Sequence, residues 1–271
     1  MERLGELGRG RAIMALVQRD GFQTIGRLAE YFRVTPQTIR RDVSPLCDQG
    51  LMRRRHGGVE LPPVDSLPHR ENLAYPTRQE LHLAGKKRIA RRLAQEVPPG
   101  AALFFGIGTT PEHCALALAG HVGLRVMTNN LNAALALCRA PSCEIVIAGG
   151  RLRPLDRDVV AGEAHDFFSH FSADIGIYGV GAVAPDGTLL DFSADEIRMR
   201  EELTRHCRRR FLVLDHSKFS RSATVRGGHI TDATDIFTDQ PPPPAIAEMV
   251  REAGLRLVIC GESPDPSEEK L

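Results

Sequence analysis

The sequence predicts an α/β protein in which a small N-terminal helical domain precedes a larger C-terminal domain with a mainly parallel sheet. Apolar residues recur with helical spacing through about the first 50 residues, which predicts short amphipathic helices. After Gly100, short apolar runs alternate with helical segments, which is typical of βαβ units. A proline-rich stretch separates the two patterns, and 271 residues are enough for two domains of these sizes.

Composition indicates a folded chain without a membrane span. Hydrophobic residues make up 42% of the sequence and charged residues 25%, which supports a packed core. No apolar run approaches the roughly 18 residues of a membrane span, and the first residues lack a secretory signal. The six cysteines are scattered without a C-x-x-C pair, so buried thiols are expected rather than a zinc site. We therefore expect a soluble, cytoplasmic protein with neither metal nor cofactor.

Three apolar faces with helical spacing predict three short helices near the N-terminus. The faces are Ile13, Leu16 and Val17; Ile25, Leu28, Ala29 and Phe32; and Ile39, Val43, Leu46 and Cys47. Before the third face, Thr35 is a suitable N-cap and Pro36 a suitable first helical residue. Three helices with a tight turn before the third follow the plan of a helix-turn-helix DNA-binding domain.

The third helix carries residue types that read DNA. Away from its apolar face it presents amide, hydroxyl and guanidinium groups, which bind base edges and phosphates. These candidates are Gln37, Thr38, Arg40, Arg41 and Ser44. Residues 31–59 hold six arginines and two acidic residues, although the net charge of the chain is only +1. A polyanion is therefore the expected partner, and a solvated charged face is the alternative.

The stretch "LMRRRHGGVEL" predicts a β-hairpin wing after the third helix. Its arginines Arg53, Arg54 and Arg55 would bind phosphates or the minor groove. His56 precedes two glycines, so a turn or backbone-contact role is favoured over metal ligation. Pro45 lies inside the predicted third helix, where proline costs about 3 kcal/mol, so we expect a kink or an early end near Ser44.

We assign the DNA-binding domain to residues 1–60, a linker to 61–79 and the second domain to 80–271. The linker is rich in proline, and "ELHLAGKKRIARRLAQEV" predicts a helix from about Glu80. Six strands then follow, in ALFF, LRVMT, EIVIA, DIGIYGVG, RFLVLD and DIFT. Helices are predicted over 111–119, 130–139, 195–207 and 245–253. Polar residues follow most of these strands, and in parallel sheets ligands bind beyond such strand ends.

The stretch "FFGIGTTPEHC" suggests a phosphate-binding turn. Gly106 and Gly108 allow close backbone approach, Thr109 and Thr110 offer hydroxyls, and a helix from Pro111 favours an anion. Lys218 would add a counter-charge, and hydroxyls of a polyol phosphate would bind Asn129, Asn130 and Asp215. The alternative for the turn is that its glycines serve only to make it tight. The alternative for Lys218 is a surface lysine without a ligand.

Two sets of motifs carry a family resemblance. "TPQTIRRDVSPLCDQGLMRRRHGG" resembles the winged helix-turn-helix of DeoR-type bacterial transcriptional repressors. The second domain is similar to the branch of this family that represses glycerol and glycerol-phosphate genes until glycerol 3-phosphate binds. The motifs that carry this similarity are "GIGTTPEHCALAL", "TNNLN", "AGGRLR", "GEAHDFFSHF", "DHSKF" and "TDQPPPP". The resemblance covers about residues 10–250. It implies operator DNA as partner, a homo-oligomer (dimer or tetramer), and a sensor domain that shares its fold with ribose-5-phosphate isomerase.

The resemblance also implies site residues. The recognition helix would start near Thr35, and Gln37, Thr38, Arg40 and Arg41 would contact the operator. The implied effector-binding residues are Gly108, Thr109, Thr110, Asn129, Asn130, Gly149, Gly150, Arg151, Glu196, Arg198 and Lys218. That branch usually has an acid where this chain has Gly106, and the acid would hold a ligand hydroxyl or position the loop. Another sugar phosphate is therefore an alternative inducer.

Two other functions fit some of the same residues. A sugar-phosphate isomerase would need a general base, for which Asp191, Glu196 and Asp215 supply carboxylates and Lys218 a cation. Such groups are common in polar pockets, and we favour a sensor without enzymatic activity. A binding module without a DNA role is the third alternative, against which the predicted recognition helix and wing argue.

Overall fold

The computed structural model describes residues 2–48, 51–61, 72–140, 142–160 and 166–261. The chain forms two compact units, which are described separately. The head unit comprises Met1–His69 and Pro76–His82, and the sheet unit comprises Arg70–Tyr75 and Leu83–Leu271. Most of the predicted linker and part of the motif "GEAHDFFSHF" lie outside the described residues.

In chain order the helices are α1 (Glu2–Asp20), α2 (Ile25–Tyr31), α3 (Pro36–Asp48), α4 (Tyr75–Glu80), α5 (Leu83–Ala94), α6 (Thr109–Ala117), α7 (Leu131–Leu137), α8 (Ala194–Arg205) and α9 (Pro244–Glu252). The strands are β1 (Gln23–Thr24), β2 (Arg53–Arg55), β3 (Gly58–Glu60), β4 (Ala102–Phe105), β5 (Arg125–Thr128), β6 (Glu144–Ile147), β7 (Arg151–Arg153), β8 (Asp158–Val160), β9 (Ala173–Tyr178), β10 (Ala182–Val183), β11 (Thr188–Asp191), β12 (Cys207–Val213), β13 (Val225–His229), β14 (Asp235–Thr238) and β15 (Arg256–Ile259). None of the helices in the described ranges is long and apolar enough to cross a membrane.

The head unit confirms the predicted helix-turn-helix. Its core is formed by residues of all three predicted helical faces, among them Ile13, Val17, Leu28, Ile39 and Val43. The backbone N–H of Thr38 donates to Oγ1 of Thr35 at 3.2 Å, so Thr35 caps α3 as predicted. The turn before α3 contains Arg33 in the left-handed region at φ 52°, which ends α2 and redirects the chain.

The predicted early end of α3 near Ser44 is wrong, because the helix continues through Pro45 to Asp48. Proline at position 45 removes one backbone donor in the last turns of the helix. Val43, in the same part of the helix, is buried in the core of the head unit. Burial of this apolar face offsets the lost hydrogen bond, so the helix persists.

The predicted wing is confirmed as an antiparallel hairpin of β2 and β3, with β1 added on the other side of β3. The hairpin turns at His56 and Gly57, and Gly57 has φ 76°, which favours glycine. A Cβ atom at Gly58 would clash with the carbonyl oxygen of Gln23, so only glycine lets β3 approach β1. Glycine is therefore required at positions 57 and 58 for two different structural reasons.

The sheet unit contains a seven-stranded parallel sheet, in the order β15-β14-β12-β9-β4-β5-β6. Phe104 faces a cluster that includes Leu203 of α8 and Val250 of α9. Its neighbour Phe105 faces the opposite cluster, which includes residues of α5, α6 and α7. Alternation along the strands thus buries both faces under helices, as predicted for an α/β domain.

Several element boundaries differ from the sequence prediction. The helix expected from Glu80 starts at Leu83, and α4 occupies part of the predicted linker. Helix α6 starts at Thr109 and not at Pro111. Strand β15, the hairpin of β7 and β8, and an antiparallel sheet of β10, β11 and β13 were not predicted.

Candidate DNA-binding surface and effector site

The predicted DNA-reading residues lie together on one side of α3. They line a single open depression, and all are exposed except Thr38 and Ser44, which are half-buried. The hydroxyls of Thr35 and Thr38 lie 2.9 Å apart. The residues of this depression are Thr35, Gln37, Thr38, Arg40, Arg41 and Ser44.

The wing contributes to a second groove beside α3. A guanidinium nitrogen of Arg54 donates to Oγ of Ser44, which joins the wing to α3. Arg53 and Arg55 both bind Glu60 and hold the pKa of its carboxyl below the ordinary value. Glu60 therefore neutralises part of the wing's positive charge. The groove is lined by Ile25, Arg40, Val43, Ser44, Arg54, Arg55, His56, Gly57, Gly58 and Val59.

An ion pair between half-buried Arg9 and buried Asp42 positions α3 within the head unit. Both carboxylate oxygens of Asp42 accept from Arg9 of α1, at 2.5 Å from Nε and 3.2 Å from Nη2. These two bonds connect α3 to α1. Bidentate pairs of this kind fix orientation as well as distance, so α3 is held on a rigid support.

In the sheet unit, parallel pairing brings the predicted effector residues to one edge of the sheet. Phe105 at the end of β4 pairs with Thr128 of β5, which in turn pairs with Ile147 of β6. Gly106, Asn129 and Gly149 therefore follow the strands on the same side. Asp215 follows β12, which lies two strands from β4 across β9, or about 10 Å at the usual strand spacing.

The glycine turn after β4 leads directly into α6. Gly108 has φ 116°, a conformation that side chains disfavour, and Thr109 starts the helix. Thr109 and Thr110 are both buried at its first turn. The side-chain amide of Asn130 donates to the carbonyl oxygens of Gly106 (3.1 Å) and Gly108 (3.3 Å), so this residue holds the turn.

Asn130 is therefore a positioning residue in this structure. Its Oδ1 also accepts from the backbone N–H groups of Asn132 and Ala133, which caps α7. Asn129 differs, because its amide nitrogen donates to the carbonyl oxygen of Val159 while its buried Oδ1 has no hydrogen-bond partner. An unsatisfied buried acceptor is costly, so Asn129 is the better candidate for a ligand hydroxyl.

Gly106 is buried against the centre of the sheet. A Cβ atom there would lie 3.3 Å from Cβ of Tyr178 and 3.4 Å from Cδ1 of Leu203. A side chain at this position would thus point towards β9 and α8. An acid would enter only if these neighbours moved by a few tenths of an ångström.

The hairpin of β7 and β8 carries a charge cluster that sequence analysis missed. Arg153 binds Asp158 (2.6 Å) and Glu196 of α8 (2.7 Å), and lies 3.8 Å from Asp156. Burial raises the pKa of Asp158 and of Glu196, and Arg153 opposes both shifts. The predicted residue Glu196 also accepts from the backbone N–H of Phe192, so protein groups bind both of its oxygens.

The remaining predicted effector residues lie on three separate segments of the sheet unit. Gly149, Gly150 and Arg151 are exposed where β6 leads into β7, and Arg198 is exposed on α8. Lys218 is half-buried on a 3-10 helix, His216–Phe219, which follows β12. Asp215 caps that helix by accepting from the N–H and hydroxyl of Ser217.

His113 on α6 predicts a pH effect on stability. Burial, assisted by the charges of Lys86 and Lys87, lowers the pKa of His113 to about 4 from an ordinary value of 6.5. Between these values the unfolded chain binds the proton that the folded chain excludes, so stability falls as the pH falls. A gap of this size corresponds to roughly 3 kcal/mol.

We therefore expect His113→Gln to lose less stability than the wild type between pH 7 and pH 4.5, as measured by urea unfolding. His170→Gln, a change at an exposed histidine of the same unit, is the control and should follow the wild type. Identical pH dependences for His113→Gln and wild type would contradict the assignment.

Two family models match the chain. Residues 9–63 match the DeoR-like helix-turn-helix domain, and residues 81–240 match the DeoR C terminal sensor domain. The first match contains α3 and the wing, and the second contains the glycine turn and the charge cluster around Arg153.

Whole-length relatives are transcriptional repressors by name. The chain is 39% identical to the glycerol-3-phosphate regulon repressor of Escherichia coli (strain K12), covering 93% of this chain and 98% of that protein. Identity to the repressor of the same name from Haemophilus influenzae is 40%, covering 93% and 96%. Identity to the HTH-type transcriptional repressor CsqR of Escherichia coli (strain K12) is 34%, covering 92% and 94%.

Among solved structures, ribose 5-phosphate isomerase A from Neisseria gonorrhoeae is similar with a TM-score of 0.37 and 14% identity. The match covers 52% of this chain and 54% of that one. A likeness at this score decides nothing about activity.

Proposed function

The chain belongs to the DeoR family of transcriptional regulators, and on that basis we propose that it is a repressor released from operator DNA by glycerol 3-phosphate. The observation that carries the proposal is the glycine turn of Gly106 and Gly108 at the N-terminus of α6. The backbone N–H of Gly106 donates to the carbonyl oxygen of Ile177, so the groups suited to a phosphate are the N–H groups at the start of α6, together with the helix dipole. Relatives that match across most of their length are named for glycerol 3-phosphate, which supports this choice of inducer.

On this proposal the phosphate and the hydroxyls of the ligand bind to different protein groups. The phosphate would bind at the turn and the first residues of α6, with Lys218 as counter-charge. The hydroxyls would bind near Asn129, whose buried Oδ1 has no hydrogen-bond partner. The cluster around Arg153 has more carboxylates than cations, so it disfavours a second phosphate on that side.

A purely binding role is supported by the state of the carboxylates that an isomerase would need. Asp191 accepts from the N–H of Gly181 at 2.7 Å and pairs with Arg200. Glu196 and Asp215 are likewise held by protein groups. A general base must reach the substrate proton, and these carboxylates already serve structural bonds. We propose that the protein is a cytoplasmic, non-enzymatic homo-oligomer whose head units bind repeated half-sites.

Binding assays on the full chain test the proposed function. Fluorescence anisotropy with DNA from upstream of its own gene measures operator binding, and calorimetry measures affinity for glycerol 3-phosphate, ribose 5-phosphate and glycerol. We expect glycerol 3-phosphate to bind, to weaken operator binding, and to be preferred over the other two compounds. A response to ribose 5-phosphate alone would identify a different sugar-phosphate inducer, and turnover of ribose 5-phosphate would contradict the proposal.

Lys218→Ala tests the position of the phosphate. We expect operator binding to be unchanged and affinity for glycerol 3-phosphate to fall roughly ten- to a hundredfold, as for loss of a charge-assisted hydrogen bond. Lys87→Ala, at an exposed lysine of the same unit, should bind the ligand like the wild type. A normal response of Lys218→Ala would place the phosphate elsewhere.

A further inference from the structure

The chain enters the sheet unit briefly before α4, and this entry is the basis of the inference. Residues 70–75 belong to the sheet unit, Pro76–His82 to the head unit, and the chain from Leu83 onwards to the sheet unit again. The segment of residues 72–75 is therefore covalently joined to head-unit residues at its C-terminal end. The backbone is therefore a direct covalent route from this segment to Pro76.

Tyr75 ties the segment to the glycine turn. Its side chain is 1% exposed, and its hydroxyl donates to Oε2 of Glu112 at 2.7 Å. Glu112 lies in the first turn of α6, where its backbone N–H donates to the carbonyl oxygen of Gly108 at 3.2 Å. Glu112 alone thus connects the hydroxyl of Tyr75 to the turn where the phosphate is proposed to bind.

Asn72 ties the segment to the charge cluster. Its amide nitrogen donates to Oδ1 of Asp156 at 2.9 Å, in the turn between β7 and β8. Arg153 lies 3.8 Å from the same carboxylate and also holds Asp158 and Glu196. In the same turn, the guanidinium carbon of Arg157 lies 5.5 Å from the centre of the Tyr75 ring.

A bound anion would act directly on these contacts. Glu112 carries negative charge in the turn of α6 that the phosphate would approach, and like charges at close range repel strongly where water is excluded. The repulsion is relieved if the Glu112 carboxylate shifts, and such a shift changes its bond to Tyr75. The free energy of phosphate binding therefore depends on whether Tyr75 is bound to Glu112. Coupling between two sites requires such a dependence.

We propose that the segment of residues 72–75 transmits effector binding to the head unit, through the Tyr75–Glu112 and Asn72–Asp156 hydrogen bonds. This inference rests on the proposed function, since it concerns the response to an inducer bound at the glycine turn. Tyr75 and Asn72 act as positioning residues and touch neither the proposed ligand nor DNA. Their loss changes the response while leaving each separate binding step intact.

The test compares operator affinity with and without saturating glycerol 3-phosphate for the full chain. Wild type should lose operator affinity by a factor within the usual range of about 5 to 150 for allosteric coupling. Tyr75→Phe removes the hydroxyl and keeps the ring, and we expect this factor to fall below about three. Its affinity for glycerol 3-phosphate alone, by calorimetry, should stay near that of wild type.

Tyr178→Phe is the matched control. Tyr178 is also a buried tyrosine of the sheet unit, and its hydroxyl has no hydrogen-bond partner in the structure. Its removal is the same chemical change without a lost bond, so the response of this variant should equal that of wild type. Asn72→Ala removes the second hydrogen bond of the segment. Like Tyr75→Phe, it should reduce the loss of operator affinity that glycerol 3-phosphate causes.

Each outcome decides one proposal. If wild type responds and both Tyr75→Phe and Asn72→Ala respond equally well, the inference is overturned while the proposed function stands. If Tyr178→Phe loses the response as fully as Tyr75→Phe, loss of any buried hydroxyl is sufficient and the inference is overturned. If operator binding by wild type is insensitive to glycerol 3-phosphate and to ribose 5-phosphate, the proposed function fails, and the inference fails with it.

Discussion

Replacing Arg153 with alanine is expected to destabilise the sheet unit by about 3–5 kcal/mol, which is the usual cost of breaking a buried ion pair. The variant would leave the carboxylates of Asp158 and Glu196 without their cation. Asp158 is 0% exposed and Glu196 6% exposed, so neither carboxylate is solvated in the folded chain. The cost is a desolvation cost, and it exceeds that of a surface ion pair because the charges that remain are buried.

Urea unfolding of Arg153→Ala and of Arg151→Ala measures this effect. Arg151 is an exposed arginine on the same strand, so its replacement should change stability by less than about 0.5 kcal/mol. A similar loss in both variants would show that the strand, and not the buried charge, is responsible.

The pH dependence of Arg153→Ala provides a second measurement of the same effect. Burial already raises the pKa of Asp158 and Glu196, and Arg153 is the group that opposes both shifts. Without Arg153 the folded-state pKa of these acids rises further above the unfolded-state value, so the folded state takes up protons more readily. Stability of the variant should therefore recover towards that of wild type as the pH is lowered from 8 to 5. A gap that stays constant over this range would contradict the explanation.

Apart from β15, the strands of the parallel sheet were predictable because each carries its own apolar run. Their order was not, because β4 pairs with both β5 and β9, and β9 follows only after the hairpin of β7 and β8. Periodicity is a local property and does not contain pairing information. The start of α5 was misplaced for a related reason: His82 adopts φ 52° and separates α4 from α5, although no glycine or proline marks the break.

In the candidate site, likewise, the residue types were predictable from the sequence and their bonding partners were not. The amide of Asn130 was predicted correctly as a polar group at a strand end, but its bonds to Gly106 and Gly108 arise only when β4 and β5 lie side by side. Arg153 was missed because its partner Glu196 is 43 residues away in sequence. Residue chemistry thus predicted the edge of the sheet at which these side chains meet, and topology determined which of them are bound by other protein groups.

The second large expected effect concerns Arg41 on α3. Arg41 is exposed and lies in the depression with Gln37 and Thr38, where a guanidinium suits a guanine edge or a phosphate. We expect Arg41→Ala to weaken operator binding by roughly 10- to 100-fold, equivalent to about 1–3 kcal/mol for a base contact. Affinity for glycerol 3-phosphate should not change, because Arg41 belongs to the head unit and the proposed ligand site to the sheet unit.

The salt dependence of DNA binding separates the two kinds of contact that Arg41 is able to make. A base contact predicts a loss confined to the operator, whereas a phosphate contact predicts an equal loss on unrelated DNA and a salt slope lower by about one. Arg19→Ala is the control, because Arg19 is an exposed arginine on α1 that pairs with Asp20 at 2.7 Å. Operator binding that survives Arg41→Ala but fails in Arg19→Ala would place the DNA on α1 and remove α3 as the reading helix.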